Sequence, residues 1–95
     1  MEKYAGTQSI ARTFGLIKLF DDDKPVWSLP ELIEASRLKR TTVFRLLSAL
    51  EAEGIMRRTP LGDYQLGPEL ILLGGRAIRA NNLRAVAQPL SLIHI

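Results

Sequence analysis

Basic side chains without acidic neighbours mark the middle of this sequence. The stretch 35–50 contains no Asp or Glu and carries the cations Arg37, Lys39, Arg40 and Arg45. Two further arginines follow at 57 and 58, whereas acidic residues gather elsewhere, notably at 21–23. Positive charge segregated in this way is typical of proteins that bind nucleic-acid phosphates. An ordinary solvated face would carry the same charges, so the net charge of +3 alone does not decide between the two.

The pattern along a predicted helix from about Arg40 to Glu53 favours nucleic acid more strongly. Its apolar residues recur at helical spacing and cluster on one side, namely Val43, Leu46, Leu47 and Leu50. At about 100° per residue, the opposite strip consists of Thr41, Arg45, Ser48 and Ala52, with Phe44 and Ala49 at its edges. Arginine can bind guanine O6 and N7 together, while hydroxyl and apolar groups suit phosphates and thymine methyls. We therefore expect Thr41, Arg45 and Ser48 to face the major groove of duplex DNA.

Other candidate residues each have a competing role. Thr42 lies at the N-terminus of that helix, where free N–H groups attract a phosphate, but packing or capping competes equally. Phe44 is either exposed or partly packed against the domain. Arg57 and Arg58 should point to opposite faces of a strand, so one of them is the better phosphate ligand. Arg12 lies near the start of the first helix, from which it could reach a backbone phosphate.

Two shorter predicted helices precede this one. In the first, Ser9 is expected to be the N-cap, and Pro25 follows the charged turn that ends it. Its apolar stripe consists of Ile10, Phe14, Ile17 and Phe20. In the second, Ser28 and Glu31 have the spacing of a capping box, and the helix should end near Ser36. The side chains expected to turn inward from it are Leu29, Leu32, Ile33 and Ala35.

A short turn and a change of period complete the pattern. Only 37–39 separate the second helix from the longer third one, which is the arrangement of a helix-turn-helix. After Gly54, which suits a left-handed C′ position, alternation predicts strands at 55–58 and 64–66 around a turn. Pro68 then opens a fourth helix, which should end or bend near 81–82. The predicted fold is mainly α with a small β-hairpin (α+β), a winged helix-turn-helix followed by a linker helix.

In this order, the motifs resemble the DNA-binding domain of the IclR family of bacterial transcription regulators. The resemblance covers roughly 9–90 and is strongest in Thr-Thr-Val-Phe-Arg-Leu-Leu at 41–47 and Leu-Glu-Ala-Glu-Gly at 50–54. Gly-Asp-Tyr-Gln-Leu-Gly-Pro at 62–68 is nearly as specific. Weaker support comes from Ser-Ile-Ala-Arg at 9–12 and Ser-Leu-Pro-Glu-Leu at 28–32.

The resemblance implies a homodimeric, ligand-responsive regulator that binds a pseudo-palindromic operator and represses or activates transcription. It places the positions of Thr41, Thr42 and Arg45 on the DNA-contacting helix and that of Arg12 near the phosphate backbone. It also implies three segments: a winged helix-turn-helix at 1–67, a linker and dimerisation helix at 68–82, and at 83–95 the start of a missing effector-binding domain. A small-molecule effector would act only through that domain.

The complete set of predicted DNA-binding residues combines both lines of argument. It comprises Arg12, Ser28, Lys39, Arg40, Thr41, Thr42, Phe44, Arg45, Ser48, Arg57 and Arg58. Two residues depart from the family pattern, which usually has Gly at the position of Arg37 and often Pro at that of Lys39. We therefore expect either that Arg37 adopts a strained backbone or that the turn differs slightly, since a residue other than glycine is disfavoured at positive φ.

Composition gives other classes of function little support. The 95 residues suffice for one domain, and there is no Cys for a disulfide or thiolate site. The one His, His94, lies in the C-terminal tail, and neither a glycine-rich phosphate loop nor suitably paired carboxylates are present. We expect no enzymatic activity, cofactor or metal. The longest apolar stretch, Leu70–Leu73, is too short to cross a bilayer, so a cytoplasmic location without membrane contact is expected.

A winged helix used only for protein–protein association is the alternative, because the fold does not dictate function. A module of that kind is expected to have an apolar or acidic strip on its third helix. The strip predicted here is neither.

Overall fold

The computed structural model describes residues 7–81 of the chain, which form four helices and a small antiparallel sheet. In chain order the elements are α1 (Gln8–Ile17), β1 (Val26–Trp27), α2 (Leu29–Ser36), α3 (Arg40–Ala52), β2 (Met56–Arg58), β3 (Tyr64–Leu66) and α4 (Pro68–Ala80). This arrangement confirms the predicted winged helix-turn-helix followed by a further helix. The expectations for 83–95, including His94, lie outside the described residues.

The core forms where α1, α2, α3 and the sheet meet. Its buried side chains are Leu16, Phe20, Leu32, Val43, Leu46, Leu47, Leu50, Met56 and Tyr64. All four apolar residues predicted on the inner side of α3 belong to this set. Burying a leucine-sized side chain contributes roughly 1.5–3 kcal/mol, so this face determines how α3 is rolled against the domain. The residues on its other side are consequently presented to solvent.

The second helix and the turn after it follow the prediction closely. Ser28 Oγ accepts from the backbone N–H of Glu31, and Glu31 Oε1 accepts from the backbone N–H of Ser28, which completes the capping box. The hydrogen bond from the Ser28 backbone, aided by Lys24, holds the pKa of Glu31 below its usual range. At the other end of α2, Arg37 has φ 63° and ψ 21°, the expected left-handed conformation. Ala35, expected to face inward, is exposed.

The first helix differs from its prediction in two respects. It begins at Gln8, with Thr7 as N-cap, because the Thr7 carbonyl accepts from the N–H groups of Ile10 and Ala11. Ser9 is thus inside the helix and does not cap it. The predicted stripe is also only partly buried: Ile10 and Phe14 remain 59% and 53% exposed. The reason is that Leu16, which is fully buried, faces the core and turns those two side chains away from it.

The sheet has one strand more than the predicted hairpin. Its order is β1-β3-β2 and both pairings are antiparallel, with Val26 opposite Gln65 and Arg57 opposite Gln65 on the other side. The additional strand, Val26–Trp27, pairs with β3, and the local sequence pattern did not predict that pairing. That pairing covers the edge of β3, which in an isolated hairpin would be left without hydrogen-bond partners.

A close approach of two backbones fastens α4 to the end of α3. The N–H of Gly67 donates to the carbonyl of Ile55 at 2.7 Å, and that of Glu69 donates to the carbonyl of Gly54 at 3.1 Å. Gly54 has φ +77°, the predicted left-handed C′ conformation. A Cβ on Gly67 would overlap the Gly54 carbonyl oxygen. Glycine at 67 is therefore required by contact with the Gly54 backbone rather than by its own φ, which is −94°.

Gly67→Ala should consequently destabilise the domain by about 1–3 kcal/mol, the usual cost of forcing extra volume into a packed site. The matched control is Gly15→Ala in α1, where nothing lies within 4 Å of the added Cβ. That variant should gain about 0.5–1 kcal/mol because alanine favours the helix. Urea unfolding of both variants measures the difference. Equal stability of Gly67→Ala and the parent chain would contradict the close approach.

Candidate nucleic-acid interface

The outer side of α3 is a continuous exposed strip without a carboxylate until the end of the helix. Thr41, Arg45, Ser48 and Ala52 are exposed, as predicted from the helical period. Phe44 at the edge of this strip is 46% exposed, which resolves its alternatives in favour of exposure. The acids Glu51 and Glu53 appear only at the C-terminal end. The strip offers one guanidinium, two hydroxyls and small or apolar groups, the side chains that can read base edges in the major groove.

The N-terminus of α3 carries positive charge and has no side-chain cap. Lys39 is the N-cap and Arg40 is the first helical residue; both are exposed, and the first turn contains no acid. The first N–H group bonded within the helix is that of Val43, which donates to the carbonyl of Lys39 at 2.9 Å. Thr42 is half-buried and makes no capping hydrogen bond, so packing remains its competing role and capping does not. This end of α3 is electrostatically suited to a phosphate.

Arg12 lies beside the turn between α2 and α3, although it is distant from that turn in the sequence. It lines a surface groove together with Gly15 and Leu19 of the α1 region and with Ala35, Ser36 and Leu38 around the turn. Its side chain is exposed. The packing of α1 against α2 therefore brings Arg12 of the first helix beside Ser36 and Leu38, which the sequence pattern alone could not show.

The two wing arginines have different surroundings. The guanidinium of Arg58 lies 4.7 Å from the centre of the Tyr64 ring, and its Nε is 3.7 Å from Glu51 Oε1. Arg57 points to the other face of the sheet, and no ion pair of Arg57 occurs within residues 7–81. The alternation in the sequence predicted opposite faces without ranking them. Arg57 is therefore the better candidate for a phosphate contact, and a contact of Arg58 with DNA stays a prediction.

Ser28 is engaged as the N-cap of α2, where its hydroxyl oxygen accepts at 3.3 Å. A contact of Ser28 with DNA therefore stays a prediction. Sequence reasoning did not anticipate the pairing of Arg58 with Glu51, which ties the wing to the C-terminal end of α3. No local signal could have revealed it, because it depends on how β2 packs against α3.

This chain is similar in sequence and in fold to known transcription regulators. The model of the IclR helix-turn-helix domain matches residues 9–60. The DNA-binding transcriptional repressor YiaJ of Escherichia coli is 33% identical over 89 residues, which cover 93% of this chain and 32% of that protein. A transcriptional regulator from Alicyclobacillus acidocaldarius has a crystal structure similar to this one, with a TM-score of 0.77 and 33% identity over 87% of this chain and 34% of that one.

A second solved structure is similar over the same region. It is an IclR homolog from Microbacterium hydrocarbonoxydans complexed with 4-hydroxybenzoate, with a TM-score of 0.74 and 27% identity over 85% of this chain and 34% of that one. The chain spans about a third of the length of the curated relatives it matches, 32% in the case of the Escherichia coli repressor. Within residues 7–81, no helix is long and apolar enough to cross a membrane.

The different surroundings of the wing arginines predict different effects on stability. Arg58→Ala should lower the free energy of unfolding by about 1 kcal/mol, because it removes a cation–π contact and a partly exposed ion pair. Arg57→Ala is the matched control and should stay within about 0.5 kcal/mol of the parent chain. Thermal unfolding of the two variants provides the measurement. If both lost the same stability, the contacts of Arg58 would not hold the wing.

Proposed function

The chain belongs to the IclR helix-turn-helix family, and we propose that it binds duplex DNA sequence-specifically as the DNA-binding module of a transcription regulator. One observation carries the proposal: α3 buries Val43, Leu46, Leu47 and Leu50 and so presents its acid-free polar strip outward. Amphipathic surface helices usually expose charges of both signs. Here Arg45 is the single charged residue of the strip, and the first acid of α3 is Glu51 near its C-terminal end.

The candidate residues divide into two kinds of contact. We assign base contacts to Arg45 and Thr41, with Ser48 and Phe44 beside them, because these lie on the outward strip. Phosphate contacts belong to the cations around it, which position the helix without reading sequence. These are Arg12 beside the turn, Lys39 and Arg40 at the start of α3, and Arg57 on the wing. Ser28 and Thr42 remain candidates for hydroxyl contacts, and Arg58 supports the wing.

The fourth helix supports a homodimer. None of its side chains is buried in residues 68–80, and its exposed apolar residues are Ile71, Leu72, Leu73 and Ile78. Ile71 is 79% exposed, and the exposed Ile10 and Phe14 of α1 add further apolar surface. A second copy of the chain would cover such surface, whereas water is an unfavourable neighbour for it. Two-fold symmetry would in turn require a pseudo-palindromic operator.

Response to a small molecule is assigned to a further domain. The relatives are about three times as long as the matched region, and one similar protein is complexed with 4-hydroxybenzoate. We propose 1–67 as the DNA-reading unit, 68–82 as the linker and dimerisation helix, and 83–95 as the beginning of a domain that binds an aromatic acid or another small effector. The Escherichia coli relative is a repressor, and repression is the sign of regulation that we propose. The relatives are regulators, so no catalytic role is assigned.

The strip on α3 predicts how a single variant changes specificity. Binding to duplexes selected from a random pool should weaken steeply with salt, since Lys and Arg contacts release counterions. Arg45→Ala should lose about 1–3 kcal/mol of discrimination between the selected duplex and a scrambled one. The matched control is Arg76→Ala on α4, which removes the same charge outside the strip. Fluorescence anisotropy over a salt series measures both quantities, and affinity independent of salt would contradict DNA binding.

The apolar face of α4 predicts self-association. Ile71→Gln should weaken it by about tenfold or more, because burying an isoleucine side chain contributes roughly 1.5–3 kcal/mol. The side tested is that of Ile71 and Ile78, and Ala80→Gln is its control, since Ala80 lies near Leu73 on the opposite side of the helix, about 180° from Ile71. Both positions are exposed, so neither change should unfold the domain. Sedimentation velocity over a concentration series distinguishes them. A monomeric parent chain at every concentration would refute dimerisation by this face.

A further inference from the structure

Arg37 is the one residue other than glycine with a positive φ among residues 7–81. Its φ of 63° and ψ of 21° put a residue with a Cβ in the left-handed region, which is unfavourable for L-residues. Glycine would adopt the same conformation without that cost. The turn nevertheless carries a long cationic side chain at this position, and that side chain is exposed.

Hydrogen bonds on both sides hold the backbone of Arg37 in this conformation. Its N–H donates to the carbonyl of Ile33 at 3.0 Å. The next N–H, that of Leu38, donates to Ser36 Oγ at 3.2 Å, and the same hydroxyl donates to the Ile33 carbonyl at 3.3 Å. The turn therefore cannot relax around Arg37 without losing these bonds. The direction in which the side chain leaves the backbone is set by a rigid turn.

The side chain contributes no ion pair to the fold. The ion pairs formed within residues 7–81 are Lys24–Glu31 and Arg58–Glu51, and Arg37 belongs to neither. It stands between Ser36 and Leu38, which line the same groove as Arg12, and it precedes Lys39 at the start of α3. Strain that persists without an internal benefit is a reason to look for a functional one.

We infer that Arg37 is a further contact to the phosphate backbone of duplex DNA, acting with Arg12 and Lys39 on one strand beside the major groove. The inference rests on the proposed DNA-binding function and assigns it a residue outside the α3 strip. Arg37 would neutralise a phosphate and carry no sequence preference, because a contact to the backbone positions the protein without reading bases. Its removal should therefore weaken all duplexes alike.

The test uses variants that separate charge from strain. Arg37→Gly and Arg37→Asn remove the charge and tolerate the left-handed backbone, whereas Arg37→Lys keeps the charge in the same conformation. The 95-residue chain and each variant are titrated onto one fluorescein-labelled mixed-sequence duplex over a salt series. Arg37→Gly and Arg37→Asn should reduce the slope of log affinity against log salt by about 0.9 for each subunit bound, the value of one phosphate contact. Arg37→Lys should keep the slope of the parent chain.

Stability gives the second readout. Arg37→Gly should raise the midpoint of thermal unfolding while it lowers affinity, a combination that a purely structural role of the arginine would not produce. Arg76→Gln is the matched control, because it removes one positive charge from α4 and should leave the slope unchanged. Parent-like slopes for Arg37→Gly and Arg37→Asn, or an equal loss in Arg76→Gln, would overturn the inference and leave DNA binding intact. A parent chain that binds no duplex would overturn both proposals.

Discussion

Burial of one side of α3 is the interaction on which the rest of the structure depends. Val43 and Leu47 are fully buried, with Leu46 and Leu50 nearly so, between the other helices and the sheet. Rolling the helix by a single residue, about 100°, would expose some of these leucines to water and bury Arg45 or Ser48. The hydrophobic effect thus sets the outward direction of polar side chains that themselves make few contacts within the domain. The exposed polar strip of α3 is thus positioned by buried residues that are not part of it.

The elements around α3 supply cations from separate parts of the chain. The packing of α1 on α2 brings Arg12 to the turn, and the wing adds Arg57 on the outer face of the sheet. Placing these charges costs little folding free energy, because they stay exposed and keep their hydration. Arg58 shows the contrasting use of the same side chain. Stacked on Tyr64 and paired with Glu51, it strengthens the wing rather than extending the positive surface.

The sequence predicted the features that local periodicity and capping determine. The α3 strip followed from the spacing of its leucines, and the capping box of α2 from Ser28 and Glu31. The left-handed Arg37 was anticipated instead from the family resemblance, in which glycine usually occupies that position of the turn. The α3 strip and the capping box depend on neighbouring residues, so no knowledge of the tertiary packing was needed for them.

Features that depend on distant residues were not accessible in this way. The helical period of α1 predicted an apolar stripe. Which of its side chains the core covers depends on the packing against α2, and Phe14 is left exposed to solvent. Pairing of β1 with β3 joins positions far apart in the chain, and no local pattern specifies it. The difference between Arg57 and Arg58 likewise needed the packing of β2 against α3. For the proposed contacts with DNA, exposure and charge restrict the candidates to the α3 strip and the cations around it.

The fastening of Gly67 and Glu69 to the backbone at 54–55 has a mechanical consequence. Because α4 begins at this junction and extends about 20 Å from it, only its N-terminal end is fixed to the segment that follows α3. The two backbone hydrogen bonds at this junction couple the orientation of α4 to that of the segment between α3 and the wing. The direction in which α4 leaves the domain is therefore set at the C-terminal end of α3.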